Sequence, residues 1–168
     1  SQGDAPRTDD TITLHKVENT EHGILVRGSK ALATLAPFAD EIAIYPRTPM
    51  PEGAEKYMLA FSIPVSTPGL KFLCRDSMST PRQDFDHPFS GRFDEQDAFV
   101  IFDNVEIPHE RVFVDGNINV YNTVMTKTWM PNIRQQTMIR ACVKLKFAWA
   151  LGRRMAAAVN DQSLATKQ

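Results

Sequence analysis

Hydrophobic and polar positions alternate in short runs along the first two thirds of the chain. The clearest run covers 57–63, where every second residue is large and apolar, the spacing that places side chains on one face of a β-strand. Comparable runs occur at 12–17, 24–26, 42–44, 70–74 and 98–107. This density of short strands, six or more within about 100 residues, predicts an antiparallel β-barrel or sandwich.

Two local patterns refine this prediction. The segment 18–23 is polar, contains Gly23 and separates two β-rich runs, which is typical of a β-hairpin. The last run is interrupted by Asp103 and Asn104, which predicts one strand that is bent or bulged in the middle.

The pattern changes to a helical period near Gly116. Ten of the eleven prolines lie at or before Pro108, and only Pro131 follows, so the last part of the chain favours helix. A long helix after Pro131 and a shorter one before it are predicted. The long helix has two apolar faces, formed by Met138, Cys142, Leu145, Trp149, Gly152 and Ala156 and by Ile139, Val143, Phe147 and Leu151.

A helix that is apolar on two faces is typical of a bundle interior or an oligomer interface. We therefore expect its partner helices to lie beyond Gln168, with further structure before Ser1. The predicted domains are an antiparallel β-barrel over 1–114 and the start of a helical-bundle domain, truncated, over 115–168.

Composition and charge narrow the class. With 42% hydrophobic and 23% charged residues, the chain is expected to be globular. No apolar stretch reaches the roughly 18 residues of a membrane span and no secretion signal is visible, so a cytoplasmic location is expected. Cys74 and Cys142 lie in apolar contexts and are expected to be reduced and buried.

The two parts of the chain differ in charge. Residues 1–116 carry a balance of −8, whereas 117–160 contain seven basic and no acidic residues. Pairing of the basic segment with the acidic part or with a partner subunit is one explanation. A phosphate-bearing ligand or a nucleic acid is the other.

Common catalytic motifs are absent from the sequence. No GxGxxG, Walker loop, HExxH or GxSxG occurs, so these motifs support no nucleotide-fold, zinc-protease or serine-hydrolase function. The histidines are isolated from one another, and the aspartates of the Pro-rich segment 84–87 are explained by Asx turns. No metal site is expected.

Several phrases in the chain resemble one family, the large oxygenase component of 4-hydroxyphenylacetate 3-monooxygenase. They occur in the family's order over nearly the whole chain, at 28–41, 67–72, 85–88, 102–113 and 144–147. The resemblance implies a flavoprotein of acyl-CoA-dehydrogenase-like architecture, of which this chain would be the middle β-domain and the first helices of the C-terminal bundle. It also implies a homotetramer for the full-length protein.

The implied activity is that of a two-component aromatic monooxygenase. Reduced FAD comes from a separate NADH-dependent flavin reductase and reacts with O2 to a C4a-hydroperoxyflavin, which hydroxylates a phenol such as 4-hydroxyphenylacetate ortho to its hydroxyl group. The catalytic residues are expected in a missing N-terminal domain and none in this chain, so the isolated chain should be inactive. Neither nucleic acid nor membrane is an expected partner.

The resemblance also implies site residues. Thr34 matches a threonine that approaches the flavin, and Gln2, Gly3 and Asp4 match a segment that contacts FAD. The pair Arg47 and Thr48 stands where the family carries a Ser-Thr pair beside the substrate, and the arginine departs from that pattern. The loop 77–91 resembles a mobile segment that covers the active site.

Two alternatives stay open. One is a flavoprotein similar to 4-hydroxybutyryl-CoA dehydratase, whose iron-sulfur cluster needs a histidine and a cysteine from the helices; this chain has no histidine after His109. The other is a non-enzymatic β-domain whose basic helix binds nucleic acid or an acidic partner.

Overall fold

The computed structural model describes residues 12–46, 48–79 and 85–159. The chain divides into two compact units, residues 1–122 and 123–168. The predicted domain boundary between 114 and 115 stays a prediction.

The described residues of the first unit contain seven strands. They are β1 (His15–Asn19), β2 (Gly23–Thr34), β3 (Glu41–Ile44), β4 (Leu59–Pro64), β5 (Leu70–Cys74), β6 (Asp97–Pro108) and β7 (Val112–Asp115). Every hydrophobic run identified in the sequence lies in or beside one of these strands, and the hairpin predicted around 18–23 joins β1 to β2.

The strands build two antiparallel sheets with the orders β1-β2-β6-β5 and β3-β4-β7. Antiparallel sheets followed by helix confirm the predicted fold class. Lys16 Nζ of β1 donates to Asp115 Oδ2 of β7 at 2.7 Å, which links the two sheets through side chains. No strand pairing among the described residues joins the sheets, so a closed barrel stays a prediction.

One core lies between the two sheets. Phe61 of β4 and Phe102 of β6 meet edge to face, with ring centroids 6.0 Å apart, which joins the sheets through an aromatic pair. The buried cluster contains Leu14, Ile24, Val26, Ala36, Ile42, Ile44, Leu59, Phe61, Ile63, Val100, Phe102, Val105 and Ile107. Burial of these alternating positions is the main force that holds the sheets together.

The bulge predicted in β6 is present. Between the pairs Val26–Val105 and Gly28–Phe102, β6 has one residue more than β2. Asn104 takes a left-handed φ of 53° there, and its Oδ1 accepts a hydrogen bond of 2.9 Å from Arg27 Nε. A second bulge, at Leu32 of β2, was not predicted.

The helical part consists of α1 (Ile118–Val124), a π-helical turn (Met125–Trp129) and α2 (Met130–Ala158). Pro131 lies in the first turn of α2, directly after the π-helical turn. The predicted long helix and shorter preceding helix are confirmed. None of the described helices combines the length and the apolar character needed to cross a lipid bilayer.

The two apolar faces of α2, whose partners are expected beyond this chain, are largely exposed among the described residues. Eight large apolar side chains between positions 138 and 155 are 46% to 69% exposed. The prediction that Cys74 and Cys142 are buried is wrong, because both thiols are exposed. Cys74 ends the edge strand β5, and Cys142 lies on the exposed surface of α2, so an apolar sequence context did not mean burial at either position.

Candidate functional site

Thr34 lies at the end of β2, opposite Asp97 at the start of β6. Its Oγ1 donates a hydrogen bond of 2.6 Å to Asp97 Oδ1, and its side chain is exposed. Since a hydroxyl has one hydrogen and two acceptor lone pairs, the hydrogen of Thr34 is used by Asp97 and the lone pairs are left for a ligand.

The turn after Thr34 has an unusual backbone. Leu35 adopts a φ of 60°, a left-handed conformation that is costly for a residue with a Cβ. Leu35 N donates to Gln96 O at 2.8 Å, and a 3-10 turn follows at Ala36–Phe38. Leu35, the strained residue, is therefore fixed by a hydrogen bond to the end of the β5–β6 connection.

A shallow pocket of about 290 Å³ lies beside Asp97, between residues of β2, β5 and β6, near the lower end of the sizes of small-molecule sites, roughly 300 Å³. Apolar side chains form most of its wall, and Arg75 and Asp97 add one cation and one anion. The apolar wall includes Leu32, Leu73, Ala98 and Phe99. Asp97 links the pocket to Thr34, since it accepts the threonine's hydrogen bond.

A larger groove of about 450 Å³ continues along the same sheet over β2, β5 and β6. Leu73 and Phe99 line both cavities, and the groove extends from them to Ile12 and Ile101. The outer side of the four-stranded sheet therefore carries a continuous apolar strip.

Thr48 lies on the segment 46–50, which α1 holds at both ends. The Tyr121 hydroxyl donates to Pro46 O. Asn122 Nδ2 donates to Met50 O, and Met50 N donates to Asn122 Oδ1, each at 2.9 Å. Sequence analysis missed Tyr121 and Asn122, because a single polar pair on a short helix has no recognisable pattern.

The connection between β5 and β6 is closed at its base by Arg75 and Asp94. The guanidinium donates to Asp94 Oδ1, and Ser77 Oγ donates to Asp94 Oδ2 at 3.0 Å. The hydrogen bond from Arg75, followed by that from the Met78 amide, lowers the pKa of Asp94 to about 2. Asp94 is thus ionised at any physiological pH.

The structure describes two of the six predicted site residues, Thr34 and Thr48. Their hydrogen bonds belong to separate networks, one on the β2–β6 pair and one on α1. The others, Gln2, Gly3, Asp4 and Arg47, lie outside the described residues. Of the loop 77–91, residues 77–79 and 85–91 are described. Among described residues, no group of three or more His, Cys, Asp or Glu could hold a metal ion.

Two packed antiparallel sheets, with the Thr34 hydroxyl at one strand end and an apolar pocket beside its partner Asp97, define this part of the chain as an antiparallel β-domain. The family described as 4-hydroxyphenylacetate 3-hydroxylase N terminal matches residues 1–114. The chain belongs to this family, as its sequence motifs indicated.

Individual relatives agree with this assignment. The 4-hydroxyphenylacetate 3-monooxygenase oxygenase component of Thermus thermophilus is 48% identical over 71% of this chain and 25% of its own length. The crystal structure of an oxygenase component of 4-hydroxyphenylacetate 3-monooxygenase, complexed with FAD and 4-hydroxyphenylacetate, matches with a TM-score of 0.64 and 47% identity over 71% of this chain and 25% of that one. The chain thus spans about a quarter of the length of each.

A more distant match is the structure of an archaeal 4-hydroxybutyryl-CoA dehydratase. It has a TM-score of 0.61 and 25% identity over 70% of this chain and 24% of that one. The fold is therefore shared beyond the oxygenases.

Proposed function

We propose that this chain forms part of the FAD site of a reduced-FAD-dependent monooxygenase that hydroxylates a phenol, such as 4-hydroxyphenylacetate, ortho to its hydroxyl group. The observation that carries the proposal is the match to an oxygenase component whose structure holds FAD and 4-hydroxyphenylacetate. When bound, reduced FAD would activate O2 for transfer of one oxygen atom to the phenol.

The described residues fit a flavin ring. A reduced flavin presents ring N–H groups, and the Thr34 hydroxyl, with its hydrogen donated to Asp97, is an acceptor for such a group. The apolar wall formed by Leu32, Ala98 and Phe99 suits the face of a flavin ring. Gln2, Gly3 and Asp4 are proposed as further FAD contacts on the resemblance alone.

The substrate is proposed to lie against the segment 46–50. Thr48 is exposed there and can donate or accept a hydrogen bond at a phenol oxygen, and α1 holds the segment on both sides of it. Arg47 would add a positive charge and so favour an anionic phenol.

The proposed partners follow from a two-component reaction. A flavin reductase supplies the reduced FAD, and O2 and the phenol are the other reactants. A homotetramer at natural length and a cytoplasmic location remain predictions, as does inactivity of the 168 residues alone.

Product analysis tests this function. The protein at its natural length is combined with a flavin reductase, NADH, FAD and 4-hydroxyphenylacetate, and the ortho-dihydroxy product is quantified. We expect T34V to lower product formation about tenfold, the effect of losing one ligand hydrogen bond, and T34S to retain most of it.

A matched control is T20V. Thr20 also donates its hydroxyl hydrogen to a carboxylate of β6, that of Glu106, but at the opposite end of the β2–β6 pair, so T20V should leave turnover unchanged. Product formation by T34V at the wild-type level would contradict the role of Thr34. Absence of product from wild-type protein with a panel of phenols would contradict the function.

A second candidate is binding of an acidic polymer by α2. Trp149 is 64% exposed and Arg153 lies over its ring at 5.0 Å, which places an aromatic ring and a basic group together on α2. A gel shift with a steep salt dependence would support this function, and no shift at low salt would exclude it. The dehydratase alternative has the weaker match, with 25% identity against 47% for the oxygenase component.

A further inference from the structure

The base of the β5–β6 connection is a dense hydrogen-bonded junction. Arg75 follows directly after β5, and its guanidinium donates to Asp94 Oδ1, to Glu95 O at 2.8 Å and to Asp76 O at 2.7 Å. One planar group therefore contacts both sides of the connection. A lysine could not satisfy all three acceptors at once, because it lacks the rigid fork of arginine.

Asp94 completes the junction from the other side. Its second oxygen, Oδ2, accepts hydrogen bonds of 3.0 Å from Ser77 Oγ and from the Met78 amide. The Asp94 side chain is 13% exposed and that of Arg75 is 32% exposed, so the pair is more shielded than an ordinary surface salt bridge.

The same junction reaches the turn that carries Thr34. Gln96 Nε2 donates to the backbone oxygen of Arg75, and Gln96 O accepts from the Leu35 amide at 2.8 Å. Asp97, the next residue, accepts from Thr34. Two hydrogen bonds through Gln96 thus connect Arg75 to Leu35, and a third connects Asp94 to Arg75. Leu35, strained at φ 60°, is the backbone neighbour of Thr34.

We propose that Arg75 and Asp94 are positioning residues that hold the Thr34–Leu35 turn in the geometry required for FAD. They act on the turn through Gln96 and Asp97. Arg75 also lines the pocket beside Asp97, so D94N, which leaves Arg75 in place, is the variant that tests the positioning role. The predicted effect on FAD binding rests on the proposed function. The predicted coupling between the Arg75–Asp94 junction and the Thr34–Leu35 turn does not depend on that function.

Amide hydrogen exchange tests the coupling, and titration with reduced FAD tests its consequence. D94N places an amide N–H toward the Met78 and Ser77 donors, so we expect exchange at Met78 and at Leu35 to be about tenfold faster or more. Kd for reduced FAD, measured anaerobically on protein at natural length, should rise about tenfold at a temperature at which circular dichroism shows D94N to be folded. R75K should give intermediate values and R75M values near those of D94N.

The matched control is E41Q. Glu41 also receives an arginine, Arg111 at 3.0 Å, and a serine hydroxyl, Ser62 at 3.1 Å, but on β3. E41Q should leave exchange at Leu35 and the Kd for FAD unchanged.

The outcomes separate the two proposals. Faster exchange at Met78 with unchanged exchange at Leu35 would overturn the positioning role, as would an unchanged Kd for FAD in D94N. If wild-type protein binds no FAD, the proposed function fails; faster exchange at Leu35 in D94N would then still support the coupling, and its absence would overturn it.

Discussion

The direction of a single hydrogen bond determines what Thr34 can offer a ligand. Because its hydrogen points to the Asp97 carboxylate, the hydroxyl presents acceptor lone pairs, which match a reduced flavin with its ring N–H groups. The resemblance to the oxygenase family predicted the residue. Its acceptor character could not be predicted, because that depends on the pairing of β2 with β6.

The ionisation of Asp94 predicts a specific dependence of stability on pH. Its pKa is lowered from 3.8 to about 2, first by the hydrogen bond from Arg75 and then by that from the Met78 amide. A group with a lowered folded-state pKa contributes stability above its unfolded pKa and loses it as the pH falls through the folded value. The stability difference between wild type and D94N should be constant above about pH 5 and shrink between pH 4 and 2.

Urea unfolding at a series of pH values measures this difference. Wild-type protein serves as the reference for D94N at each pH. A difference that stays constant down to pH 2 would show that Asp94 is not stabilised in its ionised form.

Gly28 predicts a second effect at the residue scale. Its φ is 119°, and a Cβ there would lie 2.4 Å from the backbone oxygen of Thr13. G28A should therefore lower the free energy of unfolding by more than the roughly 1–3 kcal/mol of backbone strain alone. G53A is the control, since Gly53 has φ 85° with no atom within 4 Å of its Cβ position, and it should show strain only. If urea unfolding gives equal losses of unfolding free energy for G28A and G53A, the backbone near position 28 shifts to relieve the close contact, and the prediction is wrong.

At the scale of elements, the helix α1 fixes the segment that carries Thr48. N122A removes both hydrogen bonds to the buried Met50 backbone and should destabilise the protein by about 1–3 kcal/mol. In protein at natural length, the same variant should raise KM for the phenol more than it lowers kcat, because the segment loosens before substrate binds.

The control for this variant is N132A. Asn132 is exposed on α2, so its replacement should leave both stability and KM near wild-type values. If N122A has the wild-type KM, the segment that carries Thr48 does not contribute to substrate binding.

Alternation and turn residues predicted the strands well, and their success has a physical basis. The period of two survives in β4 and β6 because one face of each is buried in the common core. The β6 bulge was visible because Asp103 and Asn104 interrupt an apolar run. The β2 bulge at Leu32 was invisible, because small and apolar residues surround it.

The junction of Arg75 and Asp94 shows why parts of the site could not be predicted. The two residues are 19 positions apart and meet only because β5 pairs with β6. The failed burial prediction for Cys142 has a related cause: apolar neighbours on a helix indicate a buried face only where other elements pack against it.

At the scale of the whole molecule, the helical part is distinguished by its positive charge and by its exposed apolar side chains. Seven basic residues and no acids lie in 117–160, and α2 exposes eight large apolar side chains between 138 and 155. Such a surface is typical of a helix that packs against further protein. The predicted bundle and tetramer would supply that packing, and the solution mass of the natural-length protein measures the latter.

The central claim is that these β-sheets form part of a reduced-FAD site at the Thr34 turn. Anaerobic titration of the natural-length protein with reduced FAD, with its solution mass recorded in parallel, tests this most directly. We predict saturable binding by an oligomer, weakened about tenfold in T34V and unchanged in T20V. A folded protein that shows no saturable binding, or binding that T34V leaves unchanged, would contradict the claim.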